Sequence, residues 1–267
     1  MTLDHQISLQ TKELVKLMEL TRKCVEDVAF EFSKNEHKLN TKKHKFDKKL
    51  KKEVKSLADN LLEEKILKAL EPTGFSILSE ESGKTIGKST SDYLFIIDPL
   101  DGTFNYIRGS GPSAISVAFW KNNEPVFGVI CNLNTEEIFW GGKEFGSYCN
   151  DEKISVSEIG DSSEAVLFTG FPVRFSFSEA GVSLFNSFND FAKIRMIGSA
   201  CISLVNIANG SGDLYFEKNI MLWDVAAGIA IVEGAGGRVS FQQQEERYCL
   251  NVIASNNNLG EYSFNYE

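Results

Sequence analysis

Carboxylates stand in this chain at places where solubility does not ask for them. Ser79-Glu80-Glu81 follows the apolar run FSIL, and Asp98-Pro99-Leu100-Asp101-Gly102-Thr103 follows YLFII. Trp223-Asp224 opens an apolar stretch ending near residue 235. An acid at the mouth of a buried element must be neutralised, or it costs several kcal/mol. Bound divalent cations would meet that need. Carboxylate and carbonyl oxygens suit hard ions such as Mg2+, Mn2+ or Ca2+, whereas zinc takes His or Cys. The histidines are His5, His37 and His44, all outside these stretches. Gly102-Thr103 directly after the second acid reads as a turn whose backbone N–H groups can approach a phosphate. Metals beside such a turn form an apparatus for phosphoryl transfer. Each piece also has a plainer reading: Asp224 as a helix N-cap, Glu80-Glu81 as a loop, Asp98-x-x-Asp101-Gly as a turn.

The elements that must position these residues follow from periodicity. Three- and four-residue apolar steps predict a helix over residues 7–32 and a second from about 47 to 70, ended by Pro72 and Gly74. Strands are expected at 75–78, 93–97, 114–120, 126–130 and 137–140, with a hairpin turn at 121–125. The first half thus reads as two helices on a largely antiparallel sheet. The second half alternates: strands at 165–170, 193–197, 213–217, 238–241 and 251–255, and helices at 178–191, 199–208 and 224–235. The expected fold class is α/β (α+β), in layers. The expected division is 1–150, carrying Glu80 and Asp98–Thr103, and 151–267, carrying Asp224.

Bulk properties restrict the partners. The chain has 267 residues, 42% hydrophobic and 24% charged, enough to bury a core without staples. No apolar run approaches a membrane span, and the N-terminus lacks a basic region followed by an apolar one. The expectation is therefore a cytoplasmic protein without a membrane partner. The five cysteines form no C-x-x-C pair and read as free thiols. A net charge of −9 disfavours nucleic acid as the primary partner. Residues 34–55 nevertheless hold ten of the 28 basic residues. They read as a solvated face or as a basic flap that attracts an anion.

Ser79-Glu80-Glu81, Asp98-Pro99-Leu100-Asp101-Gly102-Thr103-Phe104-Asn105 and Trp223-Asp224-Val225-Ala226-Ala227-Gly228 resemble, in order, three motifs of the inositol monophosphatase superfamily. Gly198-Ser199-Ala200 and Glu233-Gly234-Ala235-Gly236-Gly237 extend the resemblance, which covers about residues 54–255. Departures are Ser79 for the usual glycine, Phe104 for a frequent threonine, and Gly234-Ala235 after Glu233. The resemblance implies an alternating αβαβα sandwich and two to three Mg2+ ions, with Mn2+ as an alternative. By position, Glu80, Asp98 and the Leu100 carbonyl would hold the first ion, and Asp98, Asp101 and Asp224 the second. Glu80 would help hold a weaker third. Asp59 matches a family aspartate that, with Thr103, orients the attacking water; alone it reads as an exposed helical acid. Gly102 and Thr103 would grip the phosphate. Glu217 and the turn Gly198–Ala200 would face the alcohol. The implied reaction is hydrolysis of a small soluble phosphate ester, inhibited by lithium, in a homodimer.

Other chemistries fit less well. An aspartyl-phosphate phosphatase expects Asp-x-Asp, and here the acids are three apart with proline between. No cysteine has the arginine six residues on that a Cys-based phosphatase needs. Gly83-Lys84-Thr85-Ile86-Gly87-Lys88-Ser89 is one residue short of a P-loop and reads as a flexible connector. Relatives that dephosphorylate inositol phosphates, 3'(2'),5'-bisphosphate nucleotides, fructose 1,6-bisphosphate-type sugars or histidinol phosphate are not distinguished by sequence. The resemblance also implies a second, non-enzymatic alternative, since some bacterial members act as well in transcription or ribosome-assembly complexes.

Overall fold

The computed structural model describes residues 9–40, 57–89, 91–171, 188–260 and 262. Helix α1 is Thr11–Asn40 and α2 is Leu57–Leu70. The first sheet has eight strands: β1 Ser76–Ser79, β2 Gly83–Thr85, β3 Tyr93–Asp101, β4 Ala114–Lys121, β5 Glu124–Asn132, β6 Ile138–Gly142, β7 Gly146–Cys149 and β8 Glu152–Ile154. Their order is β2-β1-β3-β4-β5-β6-β7-β8, antiparallel except for the parallel pair β1–β3. The short helix α3, Thr103–Arg108, leaves the end of β3. The second sheet, ordered β10-β9-β11-β13-β12, comprises β9 Val166–Thr169, β10 Lys193–Arg195, β11 Leu214–Met221, β12 Arg238–Gln243 and β13 Cys249–Ser255. It is mixed: β9 runs parallel to β10 and β11, and β13 antiparallel to its neighbours. Helices α4, Ala200–Ala208, and α5, Leu222–Gly234, are packed between the two sheets.

Strand parity explains the layering. On β3, Phe95 and Ile97 face α1 and α2, where they meet Val25, Leu62 and Ile66. Ile96 faces the other way, with Ala118 and Trp120 of β4, onto Leu204 of α4 and Ile229 and Val232 of α5. The same inner core takes Tyr215 and Val252 from the second sheet. Leu214 and Phe216 point to that sheet's far side, against Phe188 and Phe191. Helices and sheets therefore alternate, as expected. Helix α5 is apolar all round because both its faces are covered. It lies close on β5, where a Cβ at Gly128 would collide with the Ala227 backbone.

Several boundaries differ from the sequence reading. Helix α1 begins at Thr11 and continues to Asn40, past the polar residues where apolar spacing stops. Residues 47–56 of the expected second helix, most of the Lys-rich segment and 178–187 of the expected later helix lie outside the described residues. The turn at 121–125 tightens to Asn122-Asn123, both at positive φ (51° and 65°), the geometry of a two-residue hairpin. Gly83–Thr85 is strand β2, not part of a flexible connector. Strands β7 and β8 were not foreseen, because GSYC and EKI carry no apolar run of the kind that marked the similarly short β1 and β9. Residue 150 falls in the turn between them, and the first sheet continues to Ile154. The five cysteines are free, four buried and Cys149 half-buried.

Candidate functional site

The two acids of β3 depend on a β-bulge. Residues three apart on a regular strand face opposite sides. Between Asp98 and Asp101 the pairing with β4 slips, from Asp98↔Ser116 to Asp101↔Ala114. Pro99 and Leu100 thus oppose the single residue Ile115, and the extra residue brings Asp101 back to the inner face beside Asp98. The strand expected to end at Ile97 therefore carries both acids within it. Leu100 becomes the odd residue and packs outward, against the α1–α2 layer.

Glu80 arrives from the neighbouring parallel strand. It begins the three-residue turn between β1 and β2, closed by Gly83 at φ 75°. Asp224 arrives from the first turn of α5, where the helix dipole favours a negative charge. One carboxylate oxygen from each of Glu80, Asp98 and Asp224 lies within 4.8 Å of the others. Asp98 Oδ1 also accepts from the Leu100 N–H at 2.9 Å. Asp101 uses Oδ2 differently: it accepts from the Ser199 hydroxyl and, at 2.9 Å, from the Cys201 N–H.

Such crowding is costly for anions. Burial, then Glu80, Asp101 and Asp224, holds the Asp98 carboxyl well above the usual carboxylate range. Burial, then Glu80, Asp101 and Glu217, does the same to Asp224. Burial also raises Asp101, against the opposing bonds from Ser199 and Cys201. The strongest charged neighbours of these acids are other acids. A divalent cation among them would reverse the balance, and the donor set is all oxygen. The nearby Cys201 thiol is held protonated by burial and by Asp101 and Asp98, so it offers no thiolate for a soft metal. The residues fit Mg2+ or Mn2+.

Thr103 opens α3 beside this cluster. Its Oγ1 lies 3.0 Å from Asp59 Oδ1 and 2.9 Å from the Leu100 carbonyl oxygen, and its single proton can go to one or the other. Asp59 is only 1% exposed, not the exposed helical acid of the plainer reading. Gly102 holds φ 78°, and a Cβ there would press on the Pro112 and Gly198 carbonyls. Its left-handed turn leaves the first N–H groups of α3 without helical partners.

Glu217 faces the inner layer from β11 and is buried. Burial pushes its carboxyl up to about 7, with Asp101 adding to the rise. The Tyr215 hydroxyl donates to Oε2 at 2.9 Å and acts the other way. A Cβ at Gly170 would overlap that carboxyl. Gly198 stands at φ 73°. Ser199 and Ala200 are buried, and Ser199 caps α4 by accepting from the Ile202 N–H at 3.1 Å. Arg195 lies exposed on β10.

Two residues to which sequence reasoning gave no role help build the site. Asn105 Nδ2 donates to the Pro112 and Ile197 carbonyls at 2.9 and 2.7 Å, tying α3 to the turn at Gly198. Glu63 Oε1 accepts from the Ser82 N–H at 3.0 Å and the Ser82 hydroxyl at 2.9 Å. Its four-residue spacing from Asp59, which puts both on one helix face, was the available signal. A cavity of about 680 Å³ between α1, α3 and the end of β5 is lined by none of the clustered acids.

Residues 10–262 match the model of the inositol monophosphatase family, a longer stretch than the motifs alone suggested. A chloroplastic phosphatase of Arabidopsis thaliana is 36% identical over 61% of this chain, and the matched part spans 46% of its own length. The Nus factor SuhB of Xylella fastidiosa is 37% identical over 68% of this chain and 66% of its own. Among solved structures, the extragenic suppressor protein suhB of Bartonella henselae superposes with a TM-score of 0.81 at 29% identity. That superposition covers 91% of this chain and 95% of the other.

Proposed function

The chain belongs to the inositol monophosphatase family, and from that premise we propose that it is a Mg2+-dependent phosphomonoesterase acting on a small soluble phosphate ester. Inositol monophosphate or a related sugar or nucleotide phosphate is the substrate class. The observation that carries this reading is the meeting of Glu80, Asp98 and Asp224 oxygens within 4.8 Å of one another, beside the start of α3.

Glu80, Asp98 and the Leu100 carbonyl would hold one ion, and Asp98, Asp101 and Asp224 a second. Bound there, such ions lower the pKa of water and neutralise charge on the phosphoryl oxygens. The protein's own groups do the rest. The Thr103 hydroxyl donates a hydrogen bond to Asp59 Oδ1, which leaves a lone pair on Oγ1 to accept a hydrogen bond from the attacking water. The N–H groups of Gly102 and Thr103 hold the phosphate. Ser199 and the Cys201 N–H keep Asp101 aimed inward. Glu217 and the Gly198 turn face the alcohol, and the Tyr215 bond fixes which Glu217 oxygen is presented.

The test is a phosphate-release screen over inositol phosphates, bisphosphate nucleotides, sugar bisphosphates and histidinol phosphate, with Mg2+, EDTA and Li+ arms. Release with Mg2+, abolished by EDTA and reduced by tens of millimolar Li+, is expected. Equal release in EDTA would sink the reading. The relative named Nus factor SuhB supports a second reading, a protein-partner role in transcription. Recovery of transcription proteins on a catalytically dead Asp98→Asn chain would favour it.

A further inference from the structure

Glu63 lies outside the ligand set described above, yet it is buried, and its Oε1 accepts two hydrogen bonds from the same residue, Ser82. It sits one helical turn after Asp59 on α2. Asp59 reaches Thr103; Glu63 reaches Ser82. One face of one helix therefore touches two separate segments of the site. Ser82 belongs to the turn Glu80-Glu81-Ser82, which joins β1 to β2 at the edge of the sheet. Hairpin tips at sheet edges are ordinarily the mobile part of a hairpin. Here the tip carries a carboxylate that must meet Asp98 and Asp224. Its backbone is tied by the Glu80 N–H to the Ile97 carbonyl at 3.1 Å, and by the two Ser82 donors to Glu63.

We propose that Glu63 is a positioning residue for divalent-metal binding: through Ser82 it staples the β1–β2 tip to α2 and so holds Glu80 at the distance the cation requires. This rests on the phosphatase reading above and adds to it a residue that touches neither metal nor substrate. The physical cause is entropic. A ligand on an untethered tip must be ordered when the ion binds, and that cost appears as lost affinity. Both Ser82 donors end on a carboxylate oxygen, so each bond is charge-assisted and stronger than a neutral one.

The experiment compares Glu63→Ala, Glu63→Gln and Ser82→Ala with the unsubstituted chain. Mn2+ binding is read directly by electron paramagnetic resonance, Mg2+ half-saturation by phosphate release, and backbone exchange at residues 80–83 by mass spectrometry. Removal of a group that orients a metal ligand costs about 10–100-fold in metal affinity. Glu63→Ala is expected to lose Mn2+ affinity on that scale and to exchange its 80–83 amides faster. Its kcat at saturating Mg2+ should stay close to normal. Glu63→Gln keeps an acceptor oxygen and should fall within about threefold of the unsubstituted protein. Ser82→Ala keeps the N–H bond and should lie between. A Glu63→Ala chain that folds and binds Mn2+ normally overturns the proposal. If that variant does not fold, Ser82→Ala with unchanged Mn2+ affinity overturns it. No Mn2+ binding by the unsubstituted chain would remove the phosphatase reading first, and this inference with it.

Discussion

Asp98 has the most to lose from a single atom change. Its carboxylate faces Glu80 and Asp224 at once, and Oδ1 also holds the Leu100 N–H. Asp98→Asn keeps the shape and removes the charge. That chain should fold normally and lose at least ~10^3-fold in kcat, the scale of losing a key electrostatic group. Near-normal turnover would take Asp98 out of the site. Glu217 makes a prediction in pH. Its folded-state pKa of about 7 stands above the ordinary 4.5, so the folded chain holds a proton there that the unfolded chain has released. Stability must then fall as pH rises from about 4.5 to about 7, and it stays lower above that window. Glu217→Gln removes this share. In EDTA, urea unfolding at pH 8 should show the variant more stable by roughly 2–4 kcal/mol, with the gain vanishing near pH 4. A variant equally destabilised at both pH values would contradict the assignment. The residue types were legible in sequence here: acids at the ends of apolar runs named Glu80, Asp98 and Asp101, and the acid opening one named Asp224. What Asp101 does with Oδ2 was not, because its partners come from residues 199 and 201, in the other half of the chain.

Elements were legible in proportion to their period. The apolar runs of β3, β4 and β5 appeared where expected, since burial on one face leaves a pattern. The stripe of α2 did not: spacing pointed to Leu50, Val54, Leu57 and Leu61, but Leu57 and Leu61 are exposed and the buried face is Ala58, Leu62, Ile66 and Leu70, while residues 50 and 54 lie outside the described residues. The bulge in β3 did not, because it changes parity without changing composition. It is nevertheless what makes a three-residue spacing work. Strand β1 shows the opposite lesson. Ser79 departs from the glycine usual at that position, and its hydroxyl is buried with no hydrogen-bond partner among the described residues. A buried donor left unmade costs about 1–3 kcal/mol. Ser79→Ala should therefore raise the stability to urea by about 1 kcal/mol, with Mg2+ half-saturation unchanged. A loss of stability would mean that the hydroxyl has a partner.

The whole molecule brings the site together across its two sheets. Asp224 is placed by α5, which lies between them and rests on β5 where Gly128 lets Ala227 approach. Gly128→Ala puts a methyl into that backbone contact. Overpacking of this kind costs about 1–3 kcal/mol, and here it also shifts the helix that carries a ligand. The variant should unfold at lower urea and need more Mg2+ for half-maximal phosphate release. Lower stability with unchanged Mg2+ demand would show that α5 absorbs the strain without moving Asp224. The layered class was legible from the alternation of elements. The continuity of the inner core was not, because Trp120 and Tyr215 show their shared environment only in three dimensions.

The parallel pairing of β1 with β3 has a consequence for biogenesis. Glu80 and Asp98 are neighbours as soon as the first sheet forms, whereas Asp224 is translated much later. Were the first sheet to form before α5 docks, the early acids would keep their water until that step. Dehydrating three anions together is uphill unless protons or a cation neutralise them at that step. Refolding from urea should accordingly run faster in Mg2+ than in chelator, with the difference confined to the last kinetic phase. The ion would then act as a maturation factor before it serves any substrate.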